Sequence, residues 1–305
     1  WYNSTSQTLK GVVLSGAWST GGTTITSARQ RFATGTQTAG LLFGGFTPPN
    51  TTATEEYNGS SWTAGGALST ARRSPGGAGT QTASLCIGGY TTTASTTVEE
   101  YNGTAWTGSP ALNNAKFLAG SFGTSSPAVT EGGAPAPKAF ETWDDSSWTA
   151  GPGPIGPANS YGSTGAGTAT AGLFAGGYPA SPTDNLTRAL EYNGSSFSSS
   201  GSMNSGRGYM QGFGVQTSAV MAGGLTGPGP ASTATETYDG ANFTTSSATL
   251  GTATAYGGGA GTSSAGFVAG GGPDIPSRTE EYNLSVYSPI AATWASGGAL
   301  GTARD

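Results

Sequence analysis

The chain has no histidine, one cysteine (Cys86) and charged residues at only 9% of 305 positions. Without histidine it lacks the commonest general base and the commonest metal ligand. With one cysteine it can form no disulfide of its own, and a lone thiol with no imidazole to activate it reads as a buried, inert side chain. The 11 basic residues against 16 acidic form no basic patch, so recognition of nucleic acid through phosphate neutralisation is not expected. No apolar run approaches the ~18 residues of a membrane span. There is no Cys pair or spaced Asp run for a metal, no Gly-x-x-x-x-Gly-Lys-Ser/Thr phosphate cradle, and no sustained 3.6-residue apolar stripe that would mark a helical solenoid. No cofactor is expected.

What is abundant is glycine, 54 residues, together with 11 Phe, 7 Trp and 12 Tyr, too many aromatics for a disordered chain. They are arranged periodically. An apolar run ends in a glycine doublet six times, the first glycines being Gly44, Gly88, Gly132, Gly176, Gly223 and Gly270, spaced by 44 residues three times and then by 47 twice. A pair of aromatics five apart follows each doublet: Tyr57/Trp62, Tyr101/Trp106, Trp143/Trp148, Tyr192/Phe197, Tyr238/Phe243 and Tyr282/Tyr287. Between the two the chain usually reads Asn-Gly or Asp-Gly, which predicts a hairpin with a tight primed turn; the third copy has Asp144-Asp145 instead. In the second copy the strands are expected at 76–81, 83–88, 97–101 and 105–108. Four strands in each period of ~45 residues is the signature of a propeller blade. The Asn-x-Ser/Thr triplets at Asn58, Asn102 and Asn193 fall in these turns and read as turn chemistry.

These features resemble the kelch repeat across residues 28–296: a glycine doublet closing the second strand, a Tyr in the third and a Trp five or six positions on. The wording Glu-Glu-Tyr-Asn-Gly-Ser-Ser-Trp-Thr and Gly-Thr-Gln-Thr-Ala is also similar to kelch-like proteins encoded by marine tailed phages. The expected fold is an all-β, six-bladed kelch-like propeller with four antiparallel strands per blade, seven blades being the fallback, in one domain over 1–305. Its doublet glycines would let backbones approach where a Cβ would clash, its aromatics would fill the spaces between sheets, and runs such as Gly76–Gly79 and Gly257–Gly261 would be inner strands. Both ends carry third- and fourth-strand wording, so the 1–27 segment either closes the ring or lies outside it.

Glu55, Glu99, Glu141, Glu236 and Glu280 lie two positions before the third-strand aromatic; one copy departs, with Leu190 there and Glu191 beside the Tyr. Two carboxylates in a cleft could serve a glycosidase, but a residue repeated in every blade forms a ring, and each Glu is expected to pair with a basic residue near the start of a first strand (Arg29, Arg72, Lys116, Arg207, Arg304) or to accept backbone N–H bonds. The segments joining second to third strands vary in length and content and are stiffened by proline. They supply the candidate ligand-binding residues Phe46, Tyr90, Lys138, Tyr178, Asp184, Asn185, Asp274 and Arg278. The function expected is therefore non-enzymatic: a virion or extracellular fibre protein that attaches to a host-surface glycan or a neighbouring virion protein through these loops, as a monomer or a homo-oligomer. A structural spacer or decoration protein is the alternative. A carbohydrate-active enzyme would need an asymmetric acid pair, and a copper-radical oxidase of the kelch type would need histidine ligands that are absent.

Overall fold

The computed structural model describes residues 2–3, 8–136, 138–153, 161–178, 187–227, 229–272 and 277–291, with side chains from Ser15 to Leu284. Six antiparallel sheets stand around a common axis, and there is no helix among the described residues. Blade one is Phe32–Thr36, Ala39–Phe43, Thr54–Tyr57 and Trp62–Ala64. Blade two is Gly76–Gly79, Ser84–Ile87, Val98–Tyr101 and Trp106–Ser109, each strand within two residues of its expected bounds. Blades three, four and five begin at Gly120, Thr164 and Gln211 and repeat the same order.

The glycine-rich runs are the first strands, next to the axis, where neighbouring blades crowd. A Cβ on Gly77 would lie 2.7 Å from the Phe32 ring, and one on Gly258 would lie 2.8 Å from the Ala33 nitrogen. The doublets carry a second constraint beyond close approach. The first glycine of each has φ between +60° and +69°, a conformation that favours glycine. The kink turns the next N–H outward to the following blade: Gly45 N–H donates to Arg72, Gly89 to Lys116, Gly177 to Arg207 and Gly224 to Thr254, all at backbone carbonyls.

The aromatic pairs lie face to face across the third and fourth strands, as with Tyr57 and Trp62 at 4.7 Å, and pack against the second strand of the preceding blade. There is one such cluster for each interface between blades: Tyr101/Trp106 on Leu41 and Phe43, Trp143/Trp148 on Leu85 and Ile87, Tyr192/Phe197 on Phe122 and Val129, Tyr238/Phe243 on Leu173 and Ala175. A buried aromatic removes ~150–250 Å² from water, which supplies a core in a chain short of Leu and Ile.

Two expectations are corrected. The connection between third and fourth strands is a four-residue loop rather than a tight primed turn. Tyr57 pairs with Trp62, Gly59 alone takes positive φ (+89°), and the Asn58 carboxamide oxygen accepts the N–H groups of Ser60 and Ser61. Asn102, Asp144, Asn193 and Asp239 do the same in their blades. Tyr282 and Tyr287, in turn, do not flank a hairpin. Residue 284 is Leu where the other turns have Gly or Asp145, so the strand continues unbroken as Thr279–Ala291. The fourth strand of blade six comes from the other end of the chain: Thr8–Thr20 pairs with it and sets Trp18 opposite Tyr282. The N-terminal segment thus closes the ring. Arg304 and the other residues after Ala291 lie outside the described residues.

A register of donors and acceptors stitches the blades together. Trp106 Nε1 donates to Thr54 Oγ1 of the preceding blade at 2.9 Å, Trp62 to Thr279 at 2.9 Å and Trp18 to Thr235 at 3.0 Å. Trp148 is the exception. Its buried N–H has no partner, because the corresponding residue of blade two is Val98. Thr54→Val is therefore expected to cost about 1–2 kcal/mol by orphaning the Trp106 N–H. Val98→Thr should raise stability by up to about 1 kcal/mol by supplying Trp148 with an acceptor. Urea unfolding of both variants checks the pair; a loss from Val98→Thr as large as that from Thr54→Val would refute the pairing rule.

Candidate functional site

The two residues before each third-strand aromatic (Glu-Glu in blades one, two and six, Glu-Thr in blades three and five, Leu-Glu in blade four) are read in two directions, because successive side chains of a strand point to opposite faces. The first Glu is buried. Glu55 meets Arg31 at 2.5 Å, Glu141 meets Lys116 at 3.2 Å, Glu236 meets Arg207 at 2.8 Å, and Glu99 and Glu280 meet Arg72 and Arg278. Each also accepts N–H groups of the chain entering its own blade, as Glu141 does from Asn113 and Asn114, while Glu99 takes the N–H and the hydroxyl of Ser69. The cation then reaches the doublet: Arg72 donates to the Gly88 carbonyl and Arg207 to that of Gly223. With both oxygens of every carboxylate engaged, this ring is a structural girdle. Its members differ from expectation at two points. Arg31, not Arg29, serves Glu55, and Arg278, grouped with the ligand-binding residues, turns inward to Glu280 and to the Thr252 carbonyl. Burial lowers the Arg31, Lys116 and Arg207 pKa values against the pull of their glutamates.

The second Glu points outward and takes the hydroxyl of the next blade's Tyr. Tyr57 donates to Glu281, Tyr101 to Glu56 and Tyr238 to Glu191, each at 2.5 Å. Burial, reinforced by these carboxylates, pushes all three phenols up to about 12. Tyr282 follows Thr237 instead of a glutamate, and its buried hydroxyl has no partner. The glutamine of the Gly-Thr-Gln wording has a similar role: Gln81 Nε2 donates to the Gly40 and Tyr57 carbonyls of the preceding blade, and Gln37 and Gln216 repeat the contact. Neither the outward Glu nor the Gln was singled out from sequence, although both recur in phase.

The two faces of the ring differ. One carries the hairpins, whose first-to-second-strand turns begin with Thr36, Thr80, Thr124, Thr168 and Thr262 in five blades and with Val215 in blade five. The other carries the variable loops and the starts of the first strands. On this second face, just before each first strand, Gln30, Ser74, Leu118, Gly162, Tyr209 and Tyr256 all have φ between +50° and +70°. Their backbones form a closed hydrogen-bonded circle: Ser74 N–H donates to Gln30, Leu118 to Ser74, Gly162 to Leu118, Tyr209 to Gly162, Tyr256 to Tyr209 and Gln30 to Tyr256, at 2.7–3.1 Å. The circle frames the mouth of an axial cavity of about 260 Å³ lined by the first strands. A non-glycine residue in this conformation costs about 1–3 kcal/mol and persists where its surroundings over-determine it, as this circle does.

Outside the circle, the residue after each doublet bridges back to the residue before the circle: Phe46 to Arg29, Tyr90 to Arg73, Ala134 to Phe117, Tyr178 to Tyr161, Leu225 to Gly208 and Gly272 to Ala255. Side chains from these two tiers make a belt. Tyr161 stacks on Tyr178, Tyr178 meets Tyr209 at 5.0 Å, and Tyr209 meets Tyr256 at 4.3 Å. Arg29 lies between Tyr256 and Phe46, Arg73 lies over both Phe46 and Tyr90, and Tyr90 packs edge-on against Phe117 at 5.0 Å. Burial and neighbouring phenols raise the Tyr209 pKa, and Arg29 works against the rise at Tyr256. The loops are latched to one another: Asn50 donates to the Tyr90 and Thr91 carbonyls, and Tyr178 donates to the Gly227 carbonyl.

Phe46, Tyr90 and Tyr178 are thus brought into one belt, as strand caps and as half-buried ring faces at once. Lys138 is exposed in the blade-three loop, and Asp184, Asn185 and Asp274 lie outside the described residues. Sequence reasoning missed Tyr161, Tyr209, Tyr256, Arg29 and Arg73 as site residues. Their shared position, 14 or 15 residues before each doublet, was the available sign. Cys86 is buried, and burial pushes its thiol up to about 12, as expected of an inert side chain. No group of His, Cys, Asp and Glu that could hold a metal occurs among the described residues.

The solved structure of YjhT is similar to this chain, with a TM-score of 0.70 and 13% identity over 89% of this chain and 100% of that one. At that identity the likeness carries the propeller fold alone. No family model and no curated protein matches, so the resemblance to kelch repeats and to phage proteins rests on the residues quoted for it.

Proposed function

We propose that this propeller is a non-enzymatic attachment protein of a virion or extracellular fibre, and that it engages a host-surface glycan through the face bearing the variable loops. The belt from Tyr161 to Phe117 carries the reading. It is a run of half-buried aromatic rings around a cavity mouth, on the face where loops vary, while the opposite face repeats small threonine turns. Rings held by inter-loop hydrogen bonds lose little entropy when a ligand settles on them, and an aromatic face offers an apolar plane to the C–H face of a sugar. The strands that close blade six run on past the hairpin face, away from the belt, and do not cover it.

Binding of the 305-residue chain to a glycan array and to intact candidate host cells tests this. Retention is expected, falling about tenfold in Tyr178→Ala and again in Tyr209→Ala, the scale of one lost aromatic contact at the upper end. An array and cells that retain nothing would refute glycan attachment and leave a neighbouring structural protein, or a spacer role, to be sought with the same variants.

A further inference from the structure

Of the basic side chains the structure describes, Arg31, Arg72, Lys116, Arg188, Arg207 and Arg278 each face a glutamate. Arg29, Arg73 and the exposed Lys138 face none, and the two arginines converge on one ring, their guanidinium carbons 5.4 and 4.8 Å from the Phe46 centroid. Arg73 also lies 4.4 Å from the Tyr90 centroid. The two arginines, with Phe46, Gln30 and Tyr256, enclose a cleft of about 360 Å³ beside the cavity mouth, a volume at the lower end of ligand pockets. In a chain of net charge −5, two like charges are gathered here with no carboxylate between them among the described residues.

The pattern breaks the symmetry of the ring. The six residues that bridge to the post-doublet positions are Arg29, Arg73, Phe117, Tyr161, Gly208 and Ala255. A cation occurs at two adjacent blades and nowhere else in that tier, whereas the structural cations recur around the ring. A guanidinium stacked on a ring uses its face and leaves its edge N–H groups free, in a planar fork that matches carboxylate and sulfate oxygens. We propose that the Arg29–Arg73 cleft is an acid-reading subsite that selects a carboxylated or sulfated sugar unit, while the tyrosine belt beside it takes the adjoining sugar rings. This rests on the glycan reading above and narrows it to anionic polysaccharides. Two unpaired arginines are too few to hold a nucleic-acid backbone, which needs several neutralised phosphates.

The test immobilises polygalacturonate, heparin, dextran and polyglutamate and measures retention of the full chain. Retention is expected on polygalacturonate or heparin, weakening as salt rises, with none on dextran. Arg29→Gln/Arg73→Gln should weaken it about a hundredfold with an unchanged melting temperature, about tenfold for each lost charge-assisted contact. Should the double variant melt early, Arg73→Lys, which keeps the charge and loses the fork, should still lose about tenfold. Equal retention on dextran, or a double variant that binds as wild type does, overturns the acid-reading subsite while glycan attachment stands. Preference for polyglutamate assigns the cleft to an acidic protein segment and overturns the proposal. Retention on none of the four, with a flat glycan array, overturns both readings.

Discussion

Glu99→Ala should lower the free energy of unfolding by about 3–5 kcal/mol, and Arg72→Met should lower it by a similar amount. Both side chains are fully buried in the girdle between blades. Removing either leaves the other charged, dehydrated and unpaired, which is why breaking a buried pair costs far more than the pair contributes net. The double variant should then lose less than the two singles together, because it no longer buries a lone charge. It should not recover wild-type stability. Arg72 also donates to the Gly88 and Thr97 carbonyls, and Glu99 also accepts the Ser69 N–H; Thr97 keeps the Gly88 N–H, so the double variant strands the Gly88 carbonyl and the Ser69 N–H. Urea unfolding in a double-mutant cycle reads the coupling directly. Strictly additive losses would mean that Glu99 and Arg72 act separately and that the ring of ion pairs is not what locks one blade to the next. Glu99→Gln, which keeps an acceptor for Ser69, should lie between wild type and Glu99→Ala.

The period was legible because each blade spends the same few residues on the same problems. A glycine doublet is needed wherever positive φ and a close backbone neighbour coincide, and an aromatic pair wherever two sheets must be filled. Such needs repeat every 44 or 47 residues and leave a trace that a single sequence shows. The girdle was legible in its glutamates and only partly in its cations. Arg72, Lys116 and Arg207 sit at one position of the repeat, but blade one reaches the same point in space from Arg31 and blade six from Arg278, on a different loop. Burial fixes where the charge must be, not which residue brings it. The belt was less legible still. Tyr209 and Tyr256 occupy left-handed positions that would ordinarily call for glycine, and nothing local marks them. The circle of hydrogen bonds that holds them there joins residues more than 40 positions apart. Leu284 is the instructive failure: aromatic spacing at Tyr282 and Tyr287 imitates a hairpin, yet without a residue suited to positive φ the turn does not form.

That missing turn makes closure of the ring depend on the other end of the chain, and deleting residues 1–20 should have the largest effect of any change considered. The deletion exposes the edge of Thr279–Ala291, withdraws the Trp18 ring from Phe213 and Tyr282, and leaves Thr235 Oγ1 without its indole donor. Five blades would remain intact, but blade six would hold three strands with an open edge facing solvent, the geometry that invites pairing with another chain. The truncated protein is therefore expected to lose its single cooperative unfolding transition and to self-associate on size-exclusion chromatography. A synthetic peptide spanning Thr8–Thr20 should restore the monomer by supplying the strand in trans. Trp18→Ala, which keeps the strand and removes only its anchor, should cost about 3 kcal/mol, the low end for truncating a packed tryptophan because this ring is half-buried. A truncated chain that stays monomeric with an unchanged unfolding midpoint would show that the ring closes without this strand. A peptide in which Trp18 is replaced by Ala separates the two contributions: if pairing of backbones alone sufficed, it would rescue as well as the native one, whereas the burial of Trp18 against blade five predicts that it rescues poorly.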